Sequence, residues 1–401
     1  MTPQPPPGGH PLDGILVADF SRVLAGPMAT MMLADLGARV VKVERPGVGD
    51  ETRTWGPPFT ERGTTYFESV NRSKESIALD LRDEHDLILA RELARRADVV
   101  IENFLPGTMG RLGLSYDVVS QDNPGVVYCS ISGFGSGAGA DLPGYDFVVQ
   151  GVGGLMSITG MPDQPTKVGV AIVDVLTGKD AVIGILAALA ARSRTGRGDR
   201  IQVTLLTSAL AGLVNQGQSA LSTGVAPRRM GNQHPSIAPY ETLECPGGPL
   251  VVACGNDGQF SRLCAVVGAP ELTGRPEYAT NAARVTHRDT LTTELEARLA
   301  QADADTWVDR LSAVRVPAGK VGSILDGVAL AQSLELDPTL DVAGQPQIRH
   351  PVQWTTYGPT DPTAPPELGE HDDALRVWLS TPSDPEHTAF PSPPDETQVT
   401  P

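Results

Sequence analysis

The chain has 401 residues, 40% of them hydrophobic and 20% charged, the make-up of a globular protein with core enough for more than one domain. A formal net charge of −17 argues against a nucleic-acid binder, and the longest apolar stretch, 181–191, is too short to span a bilayer. Cys129, Cys245, Cys254 and Cys264 lack CxxC spacing, so neither a zinc site nor a disulfide framework is read, and the absence of a leader-like N-terminus points to the cytoplasm.

Residues 1–12 are rich in Pro and Gly and read as a mobile N-terminus. ILVADF (15–20) then predicts a strand, GPMATMMLADLGA (26–38) a helix and RVVKVER (39–45) a second strand, a βαβ unit that implies a parallel sheet. ESIALDLR (75–82), VVIENF (99–104) and VVYCSISGF (126–134) continue the strands, with DLILARELARRA (86–97) as a helix between them. The expectation is an α/β fold: a Rossmann-like doubly wound large domain over 13–205 and a smaller α+β domain over 225–325. Residues 206–224 read as a linker, 326–380 as a return to the large domain, and 381–401 as a disordered tail.

Asp174 ends the apolar, β-branched run of Val168, Val170, Ile172 and Val173, and the residues behind it predict a long helix with Val182, Ile185, Leu186 and Leu189 on one face. An acid at a strand end and a helix start has two readings: a helix cap, or a carboxylate at the sheet edge where ligands bind in α/β folds. Gly133–Ala138 matches GxGxxA after a strand, yet GADLPGYD follows where a dinucleotide fingerprint requires a helix, so a nucleotide cofactor is disfavoured. Arg22, Arg45, Arg72, Lys74, Arg82 and Arg111 recur near predicted strand ends, where some of them could hold an anion. No HxxxH pair and no GxSxG elbow occurs, and the adjacent Asp372 and Asp373 read as solvent-facing, so metal catalysis and serine hydrolysis have little support.

Seven stretches in order, from PLDGILVADFSRVLAGPMATMMLADLGARVVKVERPGVGDETR (11–53) through NRSKESIALDLR, ADVVIENFLPGTMGRLGL, PGYDFVVQGVGGLMSITG, VAIVDVLTGKDAVIGILAAL and RTGRGDRIQV to LGEHDD (368–373), resemble the family III CoA-transferases of the CaiB/BaiF group, which includes formyl-CoA transferase. The resemblance implies an acyl-CoA:carboxylate CoA-transferase with Asp174 as covalent nucleophile, working through an aspartyl mixed anhydride and an aspartyl-CoA thioester. A carboxylate of ordinary pKa, about 4, would be ionised at neutral pH and need no general base. The resemblance also implies CoA contacts at Leu24, Ala25, Arg45, Arg82, Asn103, Phe104, Arg111, Gly133 and Phe134, with Arg22, Tyr145, His234 and Tyr240 near the acid substrate.

Ser132 stands where formyl-CoA transferase has a lysine, and that enzyme's mobile glycine loop has no clear match, which points away from the formyl-CoA and oxalate pair. The GNQHPSIAPYE and GNDGQF segments resemble members acting on dicarboxylic acids such as succinate. The superfamily's α-methylacyl-CoA racemases carry a histidine where Tyr145 stands, and a phenol of pKa near 10 is a poor base at neutral pH. A racemase or epimerase, or a non-catalytic acyl-CoA-binding protein, are the alternatives. No permanently bound cofactor is expected, CoA thioesters entering as substrates; an interlocked homodimer is, with no nucleic-acid or membrane partner.

Overall fold

A computed structural model describes residues 9–358 and 360–382. The sheet that organises it has six strands: β1 (Leu16–Asp19), β2 (Arg39–Glu44), β3 (Lys74–Ala78), β4 (Val99–Glu102), β5 (Val127–Ser132) and β6 (Arg200–Thr204). Every pairing is parallel, and the order across the sheet is β6-β5-β4-β1-β2-β3. Numbered along the chain, that is the doubly wound order in which the winding reverses between the first and fourth strands.

Strand residues alternate between two cores. Val17, Val40, Val99 and Val127 face one side, with α1 (Ala25–Asp35). Ala18, Val41, Val100 and Tyr128 face the other, with α2 (Glu84–Arg96). Two buried faces are why these strands read as near-continuous apolar runs. Packed on the first side are α3 (Asp146–Val152), α4 (Ile172–Thr195) and α5 (Leu205–Gly212).

The chain divides into two units. The large one takes the residues up to Leu155, Val168–Gly224 and those from Asp337 onward; the small one takes Met156–Lys167 and Val225–Leu336. Residues 206–224, expected as a linker, form α5 and the helix Val214–Thr223 of the large unit, because Leu205, Ser208 and Ala209 bury against its core. The return to the large unit begins at 337 rather than 326. At the other end, Leu12 is buried and its N–H donates to the Leu36 carbonyl at 2.9 Å, so the fold begins before residue 13. The expected tail falls almost wholly outside the described residues.

The small unit holds an antiparallel sheet of β7 (Tyr240–Leu243), β8 (Leu250–Ala253) and β9 (Ala318–Lys320), with β8 central. Its own core is built on Phe260, Tyr278, Leu295, Trp307 and Leu311. One helix of this unit, α6 (Ile324–Ser333), buries nothing, and leaves Ile324 84% and Leu325 78% exposed.

The returning chain of the large unit ends in α7 (Asp372–Ser380), whose Leu375 and Leu379 join the core beside Leu93. Asp372, expected to face solvent, instead accepts the Ala78 N–H at 2.7 Å, while the Ser76 N–H donates to His371 Nδ1 at 3.2 Å. These contacts cover edge strand β3, whose backbone would otherwise be unpaired.

Candidate active site

The site begins at the reversal point of the sheet. The loop after β1 is held in an unusual shape: Val23 has φ of +70°, uncommon for a β-branched residue. Three groups fix it. Asn103, just past β4, brackets Arg22, accepting its N–H at 2.9 Å and donating to its carbonyl at 2.7 Å. Asp50 accepts the Val23 N–H at 3.2 Å. The Lys42 ammonium donates to the Ser21 carbonyl at 2.9 Å and to Asp50 at 3.0 Å.

Beneath the loop lies a fully buried ionic network. Lys74 donates to Asp19 at 3.1 Å, to Asn71 at 2.8 Å and to the Pro27 carbonyl at 2.9 Å. Burial pushes the Lys74 ammonium down to about 8, the Asp19 charge opposing it. Burial would raise the Asp19 carboxyl, but the Lys74 and Lys42 charges and the Ser21 and Thr30 hydroxyls hold it below the ordinary value. Lys74 and Arg72 therefore serve inside the fold, Arg72 pairing with Asp35 at 2.6 Å, and are not anion ligands at the sheet edge.

A cavity of about 240 Å³ opens above this loop. Leu24, Ala25, Asn103, Phe104, Gly133, Phe134, Arg22, Tyr145 and Asp174 all line it, so most of the residues singled out in the sequence come together here. Leu24 starts α1 without a side-chain cap, and the amides of Ala25 and Gly26 donate to no group among the described residues. The glycine-rich loop is shaped by close approach: a Cβ on Gly133 would lie 2.7 Å from the Gly144 Cα, and one on Gly144 2.5 Å from the Gly133 Cα. Ser132 accepts the Gly135 N–H at 3.1 Å, so it helps form the loop.

A second cavity, of about 340 Å³, shares Arg22, Glu51 and Phe104 with the first and carries Arg45 and Arg82. Arg45 is exposed and its side chain forms no salt bridge among the described residues, its charge acting on Asp80 from a distance, whereas Arg82 pairs with Asp80 at 3.0 Å. Between the two cavities Arg22 pairs with Glu51 at 2.5 Å and stacks over Phe104, yet Arg22 Nε and Glu51 Oε2 are buried with no hydrogen-bond partner among the described residues. Arg111 lines neither cavity; it donates to the Thr108 hydroxyl at 3.0 Å, and Thr108 lines the second. His234 and Tyr240 belong to the small unit, where their rings lie 5.1 Å apart.

The run before Asp174 is not the expected strand. Asp174 sits in the first turn of α4, which begins at Ile172, and its backbone is governed from α3. Asp146 Oδ1 accepts the N–H of Val173 at 2.7 Å and of Asp174 at 3.3 Å, and Gln150 Oε1 accepts the N–H of Val168 at 2.9 Å. Side chains rather than a neighbouring strand take up these amides; Val173 turns into the core along the helix with Ile172 packed beside it, while Val170 stays exposed. Farther along, Gly178 lets α1 approach, since a Cβ there would lie 2.8 Å from the Ala25 carbonyl oxygen.

The Asp174 side chain is only part-buried and accepts no hydrogen bond among the described residues. Burial, then the Asp146 charge, pushes its carboxyl up to about 7. That departs from the ordinary carboxylate range expected from the sequence, because desolvation and a like charge both penalise the ionised form. Tyr66, on the one-turn helix Thr65–Glu68, is pushed up to about 12 by burial and then by the charges of Asp174, Asp146 and Asp50, which puts it within electrostatic reach of Asp174.

Asp146, Gln150, Glu51 and Tyr66 were not singled out in the sequence. Asp146 stood inside the PGYD segment, and an acid directly before the apolar residues Phe147, Val148 and Val149 was the available signal. Tyr66 lay in a Gly- and Pro-rich loop without periodicity.

An acid with no donor of its own, at the reversal point of a doubly wound sheet, is what the family comparison meets: the model for CoA-transferase family III matches residues 12–372. The chain belongs to that family. It is 41% identical over 385 residues to the acetyl-CoA:oxalate CoA-transferase of Acetobacter aceti, covering 95% of this chain and 98% of that one. It is 42% identical over 384 residues to the succinate–glutarate CoA-transferase of Agrobacterium fabrum, covering 92% and 96%. Among solved structures, a CaiB/BaiF family protein from Brucella suis superposes with a TM-score of 0.84 at 44% identity, covering 92% of this chain and all of the other. The protein is an enzyme of the CoA-transferase type, and among the described residues no helix is long and apolar enough to cross a membrane.

Proposed function

We propose that this CoA-transferase moves CoA from an acyl-CoA thioester to a dicarboxylic acid with Asp174 as the covalent nucleophile. The observation that carries the reading is Asp174 itself: a part-buried carboxylate that accepts no hydrogen bond among the described residues and lines the cavity at the sheet's reversal point. Its ionised form attacks the thioester carbonyl and expels CoA thiolate, leaving an aspartyl mixed anhydride. The thiolate attacks the aspartyl carbonyl, which gives the aspartyl-CoA thioester and frees the donor acid. An acceptor carboxylate attacks that thioester, expelling thiolate and forming a second anhydride. Thiolate then attacks the acceptor's acyl carbonyl, releasing the new acyl-CoA and Asp174. The unengaged amides of Ala25 and Gly26, at the start of α1, suit the oxyanions of these steps.

The two cavities, which share Arg22, Glu51 and Phe104, suit an extended CoA. Its thioester lies at Asp174, and a pantetheine amide meets Arg22 Nε and Glu51 Oε2 between them. The nucleotide lies in the second cavity beside Arg45 and Arg82, with Arg111 near its mouth. A dicarboxylic acceptor is favoured because both relatives described above are named for such acids, oxalate in one and succinate and glutarate in the other.

The exposed Ile324 and Leu325 of α6 favour burial against a second copy, as in an interlocked homodimer. The cytoplasm suits the four free cysteines, of which Cys129, Cys254 and Cys264 are buried.

The test is transfer followed by mass spectrometry. Purified enzyme is given succinyl-CoA or acetyl-CoA with a pool of oxalate, glutarate, succinate and monocarboxylic acids. New acyl-CoA of a dicarboxylic acid, absent with Asp174→Ala, is the expected result. Transfer retained by a folded Asp174→Ala variant refutes the nucleophile, and transfer confined to monocarboxylic acids refutes the acceptor class. Light scattering of the wild type and of Leu325→Asp reads the dimer.

A further inference from the structure

Asp146 has no part in the chemistry above, yet it is 7% exposed and accepts the backbone N–H of the nucleophile and of the residue before it. It lies on α3 and acts as the cap of α4 from outside. Ala171, at the cap position, has no side-chain acceptor, and Asp146 Oδ1 takes the Val173 and Asp174 N–H groups in its place. Its other oxygen accepts from Gln150 Nε2 at 2.7 Å, and Gln150 in turn holds the Val168 N–H. The two side chains, one turn apart on α3, thus fix both the approach to α4 and its first turn.

This arrangement has a chemical consequence. An acid in the first turn of a helix ordinarily folds back onto the free N–H groups there, which stabilises its charge. Asp174 occupies such a position but accepts no hydrogen bond among the described residues: Asp146 engages the Val173 and Asp174 N–H groups of that turn, and the Ile172 N–H donates to the Val170 carbonyl at 2.8 Å.

We infer that Asp146 is a positioning residue of the transfer reaction: by occupying the N–H groups at the start of α4, it leaves the Asp174 carboxylate bare and aimed into the cavity as a reactive nucleophile. The inference rests on Asp174 being the nucleophile. The direction of the Asp174 shift agrees with it, since the Asp146 charge is the second cause after burial. The other ionisable groups near Asp174 are Tyr66 on its short helix and Arg22, Glu51 and Tyr145 around the cavity. The packed faces of α1 and α5 present none near it.

The test is the pH profile of kcat/KM for the wild type, Asp146→Asn and Asp146→Ala. Asparagine keeps an acceptor oxygen for the α4 amides but removes the charge. The acid limb is expected to move down by about one pH unit, with the plateau reduced severalfold as the nucleophile weakens. Alanine frees the amides for Asp174 itself, so the limb moves at least as far and the plateau falls about a hundredfold. A limb that stays in place while kcat/KM falls at every pH overturns the inference.

If neither variant folds, infrared difference spectra against Asp174→Asn follow protonation of Asp174 directly in the wild type and in Gln150→Leu, which removes the donor that holds Asp146 in place. A protonation midpoint moved in Gln150→Leu supports the inference, and an unmoved one overturns it. Asp174→Ala separates the two claims. Transfer surviving in that variant removes the nucleophile reading, whereas an inactive Asp174→Ala with an unmoved limb in Asp146→Asn removes only the role of Asp146.

Discussion

Replacing Asp174 by asparagine should abolish transfer and at the same time stabilise the fold, by an amount that grows with pH. The folded carboxyl is pushed up to about 7 from an ordinary 3.8, by burial and then by the Asp146 charge. A group whose folded pKa lies above its unfolded value stabilises the fold while it is protonated. That stability is whole below about pH 4 and is lost as pH rises through about 7. The full shift corresponds to roughly 4 kcal/mol, and exposure to the open cavity screens it to about half.

Asparagine carries no such cost, and because Asp174 accepts no hydrogen bond, nothing is lost with the charge. The expected gain is about 2 kcal/mol at pH 8 and less than half of that at pH 5, a rise in melting temperature of a few degrees at the higher pH. Thermal denaturation of both proteins across pH 5–8 measures it. An equal gain at both ends, or a loss at pH 8, refutes the reasoning, because either result means that Asp174 is not held as a reluctant anion.

The same shift requires kcat/KM of the wild type to rise with pH through an acid limb near 7; a profile flat from pH 5 to 8 contradicts it. Lys74→Met strands the Asp19 carboxylate in the core and should cost about 3–5 kcal/mol, read by denaturant titration; a loss under 1 kcal/mol shows that the network is not needed for stability. Gly144→Ala places a Cβ 2.5 Å from the Gly133 Cα, so one backbone must move. Steady-state kinetics should record a loss in kcat/KM of about a hundredfold with the melting temperature nearly kept, and unchanged kinetics would mean that the loop is not part of the site.

Much of the architecture was legible in the chain itself. Apolar, β-branched stretches such as Val99–Ile101, and Val40, Val41 and Val43 around Lys42, marked strands buried on both faces, and alternation with helical periods implied a parallel doubly wound sheet. The ordered stretches from 11 to 373 carried the family resemblance, and with it Asp174, because such motifs are local properties of a sequence.

What tertiary structure decided was which partner each polar group meets. The β-branched residues before Asp174 satisfy strand and helix alike, and the outcome turned on Asp146 and Gln150, distant in sequence, taking up the backbone amides there. Arg45 and Lys74 are both basic residues near strand ends. Only the fold leaves one exposed beside a cavity and buries the other against Asp19. Electrostatics inside a protein depends on distance and desolvation, and neither is written in the order of the residues. The sequence by itself determined the sheet, the family and the acid; three-dimensional packing alone made that acid a partly desolvated one beside a second carboxylate.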